Sequence, residues 1–353
     1  MNLPKAKVII ILFFLLFLSG CAPKNEVVFH GHVLDDRILF ESKKTDRSRK
    51  NFKAMLSRYV SNVLPEVRVK IRFKGIESIV ETDQNGYFKT VFDLSEIEVD
   101  SGWQKASFEV IDKIVENQTP IISEAEAYIQ KEDSCFGIIS DVDDTILVSY
   151  ANQMLRKLRL ILTKNAYTRL PFKGVAAFYQ ALVSTTEKKS KNPIFYVSSS
   201  EWNLYDFLID FCKVRHIPKG VFLLQNYKKN LKQLILTGGG NHEHKLFKIR
   251  EILIFYPNIN FILIGDSGQR DPVLYSQIVN EFPGRIKSIY IRDVKRKNSE
   301  SKIKDLVDQL QNNEVEMLLT ETTLEAAIHA ASKGYIDKSK VENIRNEVKM
   351  DSN

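Results

Sequence analysis

Cysteine is scarce in this chain of 353 residues, with only Cys21, Cys135 and Cys212. Three thiols cannot build a disulfide scaffold. Cys135 and Cys212 both sit within apolar stretches and read as buried, inert thiols. Long apolar runs are lacking too. The run from Val8 to Leu18 has 11 residues, short of the about 20 that a membrane-spanning helix needs. Charge of one sign is also weak, since 51 Lys and Arg against 44 Asp and Glu leave a formal +7. That excess is dispersed in pairs such as Lys43-Lys44 and Lys228-Lys229, so no nucleic-acid partner is expected. Gly238 to Gly240 lacks the GK[ST] ending of a phosphate-binding loop and reads as a flexible loop. No internal repeat is present.

The amino terminus carries an address. Lys5 and Lys7 precede the apolar run Val8 to Leu18, and Leu18-Ser19-Gly20-Cys21 follows it. A short basic segment, a short apolar segment and small residues make a secretory signal. With its cysteine, the end of this segment resembles the lipobox of bacterial lipoproteins. That resemblance implies cleavage after Gly20 and lipidation of Cys21. The protein is therefore expected to be exported and lipid-anchored at the non-cytoplasmic face of a bacterial membrane. Removing residues 1–20 takes away two lysines and no acid, so +7 becomes +5. A mildly basic surface suits anionic membranes and anionic substrates.

The remaining 330 or so residues suit two domains. Residues 21–26 form a tether. From 27 to 130 the texture is β-rich. Val67 to Phe73 alternates apolar and polar residues, as a half-buried strand does. Asn85-Gly86 supplies a turn into a strand from Tyr87 to Phe92, and Ala106 to Ile111 supplies another. A small all-β, sandwich-like accessory domain is expected, with Arg47 to Leu64 open between a helix and a long excursion. It shows no catalytic constellation. From 134 to 337, buried apolar runs (Cys135 to Asp141, Ile194 to Ser198, Phe261 to Asp266 and Ile286 to Ile291) alternate with helical patterns over Gly174 to Leu182, Trp202 to Cys212 and Lys245 to Tyr256. That alternation predicts a parallel α/β sheet. Further helices are expected over Ile303 to Gln311 and Leu324 to Lys333. Residues 338–353 read as a charged, fraying tail.

Ligands of open α/β sheets bind beyond the carboxyl ends of the strands, and three of these runs end in Asp141, Ser198 and Asp266. Asp141 and Asp143 are two apart, which in an extended segment puts both carboxylates on one side and turns Asp144 away. Crowded carboxylates call for a cation or a shared proton, and a hard divalent ion with oxygen ligands, Mg²⁺ above all, suits them.

Four motifs in order carry a resemblance to the haloacid dehalogenase superfamily of phosphohydrolases. They are Asp141-Val142-Asp143-Asp144-Thr145, Ser198, Lys245 (with Lys248 as the alternative) and Gly265-Asp266 through Asp271. The strings Pro171 to Val175, Tyr196 to Ser200, Trp202 to Asp206, Gly265 to Pro272 and Phe282 to Ile286 narrow it. Together they resemble the catalytic domain of the actin-patch phosphatidate phosphatase family. Glu201 and Val273 depart from that family's pattern, and Asp144 stands where the superfamily has glycine. The resemblance implies a haloacid-dehalogenase-like fold and Mg²⁺-dependent hydrolysis of a phosphomonoester. Phosphatidate in a membrane is its expected substrate. It also implies roles. Asp141 is the nucleophile and Asp143 the general acid and base. Asp141, Asp143 (through its carbonyl) and Asp266 hold the metal. Ser198 and Lys245 bind phosphate, while Thr145 and Asp271 give support.

Two other functions compete with this reading: a phosphatase of soluble phosphomonoesters, and a lipoprotein that binds lipid or a partner without turnover. His242 and His244 are a rival metal pair. Arg285 and Arg292 fit either an anionic substrate or pairing with Asp293. Trp202, Tyr205 and Phe207 read as core or pocket wall.

Overall fold

The computed structural model describes residues 13–14, 26–34, 43–60, 62–114, 116, 118–129, 134–146, 165–184, 191–225, 242–294, 303, 305–307, 310 and 314–350. Cys21, the lipobox and Gly238 to Gly240 lie outside these residues. Two compact units divide the chain, Met1–Glu41 with Phe52–Lys131 and Ser42–Asn51 with Glu132–Asn353.

The first unit contains two antiparallel sheets. One pairs β2 (Glu26–His32) with β5 (Tyr87–Asp93), and the two-residue β1 (Phe13–Phe14) adds to β2. The other runs in the order β4 (Ile76–Glu81), β3 (Arg68–Phe73), β6 (Gly102–Val110), β7 (Ile121–Ile129). The alternation read over Val67 to Phe73 is real, since Val69, Ile71 and Phe73 are buried. Both sheets feed one hydrophobic core. At its centre Phe29 of β2 meets Phe73 and Phe108 of the second sheet edge-on, with ring centroids 5.1 and 5.6 Å away. The Asn85-Gly86 turn does form, with Gly86 at φ +77°. It makes a corner rather than a hairpin, because β4 and β5 belong to different sheets. Asp83 Oδ1 holds that corner by accepting from the Asn85 and Tyr87 amides. The segment left open over Arg47 to Leu64 is a helix, α1 (Ser48–Val60).

The second unit is built on a six-stranded parallel sheet. Its strands are β8 (Gly137–Ser140), β9 (Ile194–Glu201), β10 (Val221–Gln225), β11 (Phe261–Asp266), β12 (Ile286–Arg292) and β13 (Glu316–Thr320). Their spatial order is β10-β9-β8-β11-β12-β13. The chain thus steps outward from β8 to β10, returns to the other side of β8 with β11, and steps outward again. Its order reverses between β8 and β11, where such sheets open a crevice at their carboxyl edge. Buried on every residue, β8, β10 and β11 have the continuous apolar texture of strands covered on both faces. Gly137 lets β8 pass close to β11, for a Cβ there would sit 2.3 Å from the Phe261 ring.

The helices are α2 (Val175–Val183), α3 (Tyr205–Val214, after a 3-10 turn at Trp202–Leu204), α4 (His242–Phe255), α5 (Asp271–Glu281), α6 (Thr323–Ser332) and α7 (Lys340–Met350). Trp202 and Phe207 are core residues. The expected Ile303 to Gln311 helix is described only at 303, 305–307 and 310.

Two expectations need correction. Within the expected charged, fraying tail of residues 338–353, residues 340–350 form a helix instead, because α7 docks on the unit. Its Ile344 is fully buried, Glu347 Oε2 accepts from the Ala177 amide at 3.0 Å, and Val348 lies over Gly174, where a Cβ would approach to 2.5 Å. One apolar stripe on a mostly charged helix was enough to dock it. Cys135 is exposed, while Cys212 is buried, and both are free thiols. Burial pushes the Cys212 thiol up to about 12, which makes it inert.

Ile344→Ala tests the docking of α7. Emptying a fully buried site should cost about 2–5 kcal/mol in denaturant unfolding; a fraying helix would lose less than about 0.5 kcal/mol.

Candidate active site

The carboxyl ends of β8, β9 and β11 bring the predicted residues together. Just beyond β8 lies Asp141, whose amide donates to Ile264 O of β11 at 2.8 Å. Ser198 is the fifth residue of β9, Asp266 ends β11, and Asp271 opens α5. Lys245 enters from the first turn of α4. All are buried, together with Asp143, Asp144 and Thr145.

Lys245 joins the carboxylates. Its Nζ lies 2.8 Å from Asp141 Oδ1 and 2.9 Å from Asp271 Oδ1. Although close, the Asp141 oxygen receives no well-directed hydrogen bond, so that contact is an ion pair above all. Lys248 instead pairs with Glu251 at 2.9 Å, which places Lys245, of the two candidates, at the carboxylates. Thr145 Oγ1 donates to Asp141 Oδ2 at 3.2 Å. Asp271 Oδ2 accepts from the Asp266 amide at 3.2 Å. Gly265 makes that approach possible, since a Cβ there would meet Asp271 Oδ2 at 2.6 Å. Asp266 Oδ1 in turn accepts from the amides of Gly268 and Gln269 at 2.6 and 2.8 Å.

Asp143 faces β9. Its Oδ2 accepts from Ser200 Oγ at 2.9 Å and from Ser198 Oγ at 3.4 Å. The expectation that Asp144 simply points away along an extended segment fails. At Asp144 the backbone turns left-handed, with φ +57°, and its side chain is buried. Glycine adopts that conformation without strain, and Asp is among the few other residues that tolerate it.

Five carboxylates (Asp141, Asp143, Asp144, Asp266 and Asp271) are buried here, and one buried ammonium, Lys245, pairs with two of them, Asp141 and Asp271. Burial pushes Asp141 up to about 7, with Lys245 opposing the shift and Asp271 and Asp143 adding to it. Burial, then Asp271 and Asp141, drives Asp266 well above the carboxylate range. Burial works to lower Lys245, but Asp141, Asp271 and Asp266 prevail and hold it above its ordinary value. In each case the site retains protons, and so it lacks positive charge.

A divalent cation fits that deficit. Asp141, Asp266 and Asp271 each bring a carboxylate oxygen within 4.8 Å of the others, and among the described residues His244 does not join the group. One amide nitrogen marks the place. Gln269 Nε2 lies 2.9 Å from Asp266 Oδ2, 3.1 Å from Asp143 O and 3.4 Å from Asp141 Oδ2. Those are the three protein ligands that the sequence resemblance implies. Gln269 sits inside a quoted motif but carried no assigned role, because only folding reveals what its amide touches. Ser200 was likewise hidden within a run of serines.

The arginines resolve differently. Arg285 donates to the carbonyls of Leu253, Tyr256 and Ile259, tying down the end of α4. The Arg292 guanidinium donates to Thr145 O at 3.3 Å and Thr323 Oγ1 at 2.8 Å and lies 4.3 Å above the Phe172 ring.

Residues 136–293 match the family described as "Phosphatidate phosphatase APP1, catalytic domain". Phosphatidate phosphatase APP1 of Saccharomyces cerevisiae is 31% identical over 156 residues, covering 44% of this chain and 25% of that protein. An uncharacterized protein of Schizosaccharomyces pombe is 27% identical over 161 residues, with the same coverage of 44% and 25%. The chain therefore spans about a quarter of the length of these curated relatives. Among solved structures, apo β-glucuronidase 3 of Bacteroides uniformis aligns at 6% identity over 89% of this chain and 38% of that one. Its TM-score is 0.26, and the likeness carries no argument.

The raised carboxylates make a pH prediction. A carboxylate whose folded value lies above its unfolded one favours folding at low pH, and that contribution is lost as pH rises. In EDTA, stability should fall between about pH 4 and 7, the ordinary and raised values of Asp141. Thermal melts at a series of pH values would read this, and Asp141→Asn should flatten the slope. An unchanged slope in the variant would show that Asp141 is not the group responsible.

Proposed function

We propose that this chain is a divalent-metal-dependent phosphatase, taking as premise that its residues 136–293 belong to the phosphatidate phosphatase APP1 catalytic-domain family. The observation that carries the proposal is Asp141 at the carboxyl edge of the central strand, 2.8 Å from buried Lys245 and grouped with Asp266 and Asp271. A six-stranded parallel sheet with these four motifs supports the haloacid-dehalogenase-like assignment.

The cation, Mg²⁺ in this proposal, would be held by Asp141, the Asp143 carbonyl and Asp266, and would neutralise phosphoryl charge. Asp141 attacks phosphorus, and the bond to the leaving alkoxide breaks to give an aspartyl-phosphate. Asp143 supplies the proton that the alkoxide needs. It then takes one from the water that attacks phosphorus, releasing phosphate and freeing Asp141. Ser200 Oγ, at 2.9 Å, orients Asp143 for both transfers. Ser198 and Lys245 hold the phosphoryl oxygens, whose charge the transition state redistributes. Thr145 and Asp271 fix the nucleophile and the ammonium.

Phosphatidate is the proposed substrate. The curated yeast relative is named for it, and a lipid anchor at Cys21 would hold the enzyme where that lipid resides. Phosphate release from phosphatidate in mixed micelles, with and without Mg²⁺, tests this. Turnover should require the metal, and Asp141→Asn should abolish it while the variant still unfolds in one cooperative melt. Activity on soluble esters with none on phosphatidate would shift the substrate to a soluble phosphomonoester. Binding of phosphatidate without any phosphate release would leave only a lipid-binding role.

Export and anchoring rest on Leu18 to Cys21. Cys21→Ser should abolish metabolic labelling with a fatty acid and partitioning into detergent. Labelling that persists in the variant would sink the anchor.

A further inference from the structure

Gln269 holds a position that two different groups require. Its Nε2 carries two hydrogens yet stands among three oxygens, at 2.9, 3.1 and 3.4 Å. An amide matched to its partners would meet two acceptors, one per hydrogen. Three oxygens converging on one point describe a cation's surroundings better than those of an amide. At the other end Gln269 Oε1 accepts from Lys245 Nζ at 3.2 Å. The side chain thus mimics the ion toward the carboxylates and mimics an anionic oxygen toward the lysine.

Both mimicries fall on groups that the proposed reaction uses. Mg²⁺ binds oxygen at about 2.0–2.1 Å, so an ion and this nitrogen cannot share the cage. The Lys245 ammonium, proposed to hold the phosphoryl group, has its free donor turned toward Oε1. The surroundings allow an exchange. Gln269 is only half-buried, its neighbour Arg270 is exposed, and both belong to the stretch between β11 and α5 that is neither helix nor strand.

We propose that Gln269 is an intramolecular competitor for the metal site. In its inward state the amide substitutes for the cation, and binding of the cation requires the side chain to swing out. This rests on the reading of the carboxylate cluster as a metal site and deepens it by naming what sets its affinity. A competitor built into the chain lowers apparent affinity by the fraction of molecules in the open state. Cation occupancy would then follow the free concentration of the ion over a higher range than the bare oxygen cage would give. In the metal-free protein the same amide bridges carboxylates that would otherwise repel each other.

Mn²⁺ binding, read by the loss of its free electron-spin-resonance signal, and Mg²⁺ binding, read by calorimetry, test the proposal without reference to turnover. Wild type, Gln269→Ala and the conservative Gln269→Asn, whose amide is too short to span the cage, should be compared in the full chain. An inward state favoured about tenfold predicts about tenfold tighter binding in Gln269→Ala. Gln269→Asn should tighten binding as well, and both variants should melt at lower temperature than wild type in EDTA. Asp266→Asn should weaken binding in every background. Wild-type binding that is unchanged or weakened in both Gln269 variants, while Asp266→Asn still weakens it, would overturn the competitor and leave the metal site standing. No Mn²⁺ or Mg²⁺ binding by any of these proteins would overturn the metal site and the competitor together.

Discussion

Repulsion among carboxylates governs the carboxyl edge of the parallel sheet. Asp141, Asp143, Asp144, Asp266 and Asp271 are buried within one crevice, and buried charges persist only when paired or hydrogen-bonded. Each feature around them supplies part of the compensation. Lys245 brings a full positive charge to Asp141 and Asp271. The Gly268 and Gln269 amides turn their donors on Asp266. Asp271, at the start of α5, gains from the helix's positive end. Two serines of β9 satisfy Asp143. These donors come from separate strands and helices, so the fold must close before the acids can be buried at acceptable cost. The site and the second unit's stability are for that reason one problem.

That arrangement also explains what the crevice is suited to. One lysine against five acids leaves the raised proton affinities of Asp141 and Asp266. A divalent cation would relieve repulsion that protons otherwise relieve, and under the proposed function would leave Asp141 as an anion. A phosphoryl group brings negative charge of its own and could not approach the bare cluster. Under the proposed function, the cation would bind first and prepare a place for the anionic phosphoryl group.

How much of this was legible in the sequence depends on the range of the signal. Strands that end in a reactive residue were readable, because a buried apolar run and a polar terminus lie in one stretch, as at Phe261 to Asp266. Strands β10 and β13 and helix α5 escaped notice, being short or lacking a clear period beside stronger neighbours. The corner at Asn85-Gly86 read correctly as a turn, but sequence does not say which sheet each flank joins. Asp144 misled because an alternation argument assumes an extended chain, and its φ of +57° ends that extension. Residues 338–353 misled through charge. Ile344 and Val348 form a stripe one turn apart, outnumbered on the helix yet sufficient against Gly174.

Arg292 shows the deepest layer of the design. It stands beside Asp266 in the β11–β12 register, and burial pulls it down to about 10. Among the described residues it meets the Thr145 carbonyl, the Thr323 hydroxyl and the Phe172 ring. Thr323 Oγ1 in turn donates to Lys173 O at 2.7 Å. One planar guanidinium therefore links the loop that carries Asp141 and Asp143 to the Phe172-Lys173 segment and the first turn of α6. A lysine at this position would offer a point charge without a plane to stack or a fork to span two acceptors. The cost of burying that cation is offset by its field as well as its bonds, because it adds positive potential at Asp266. Arg292 thus ties together the loop of the proposed nucleophile and adds positive potential beside the proposed metal ligand.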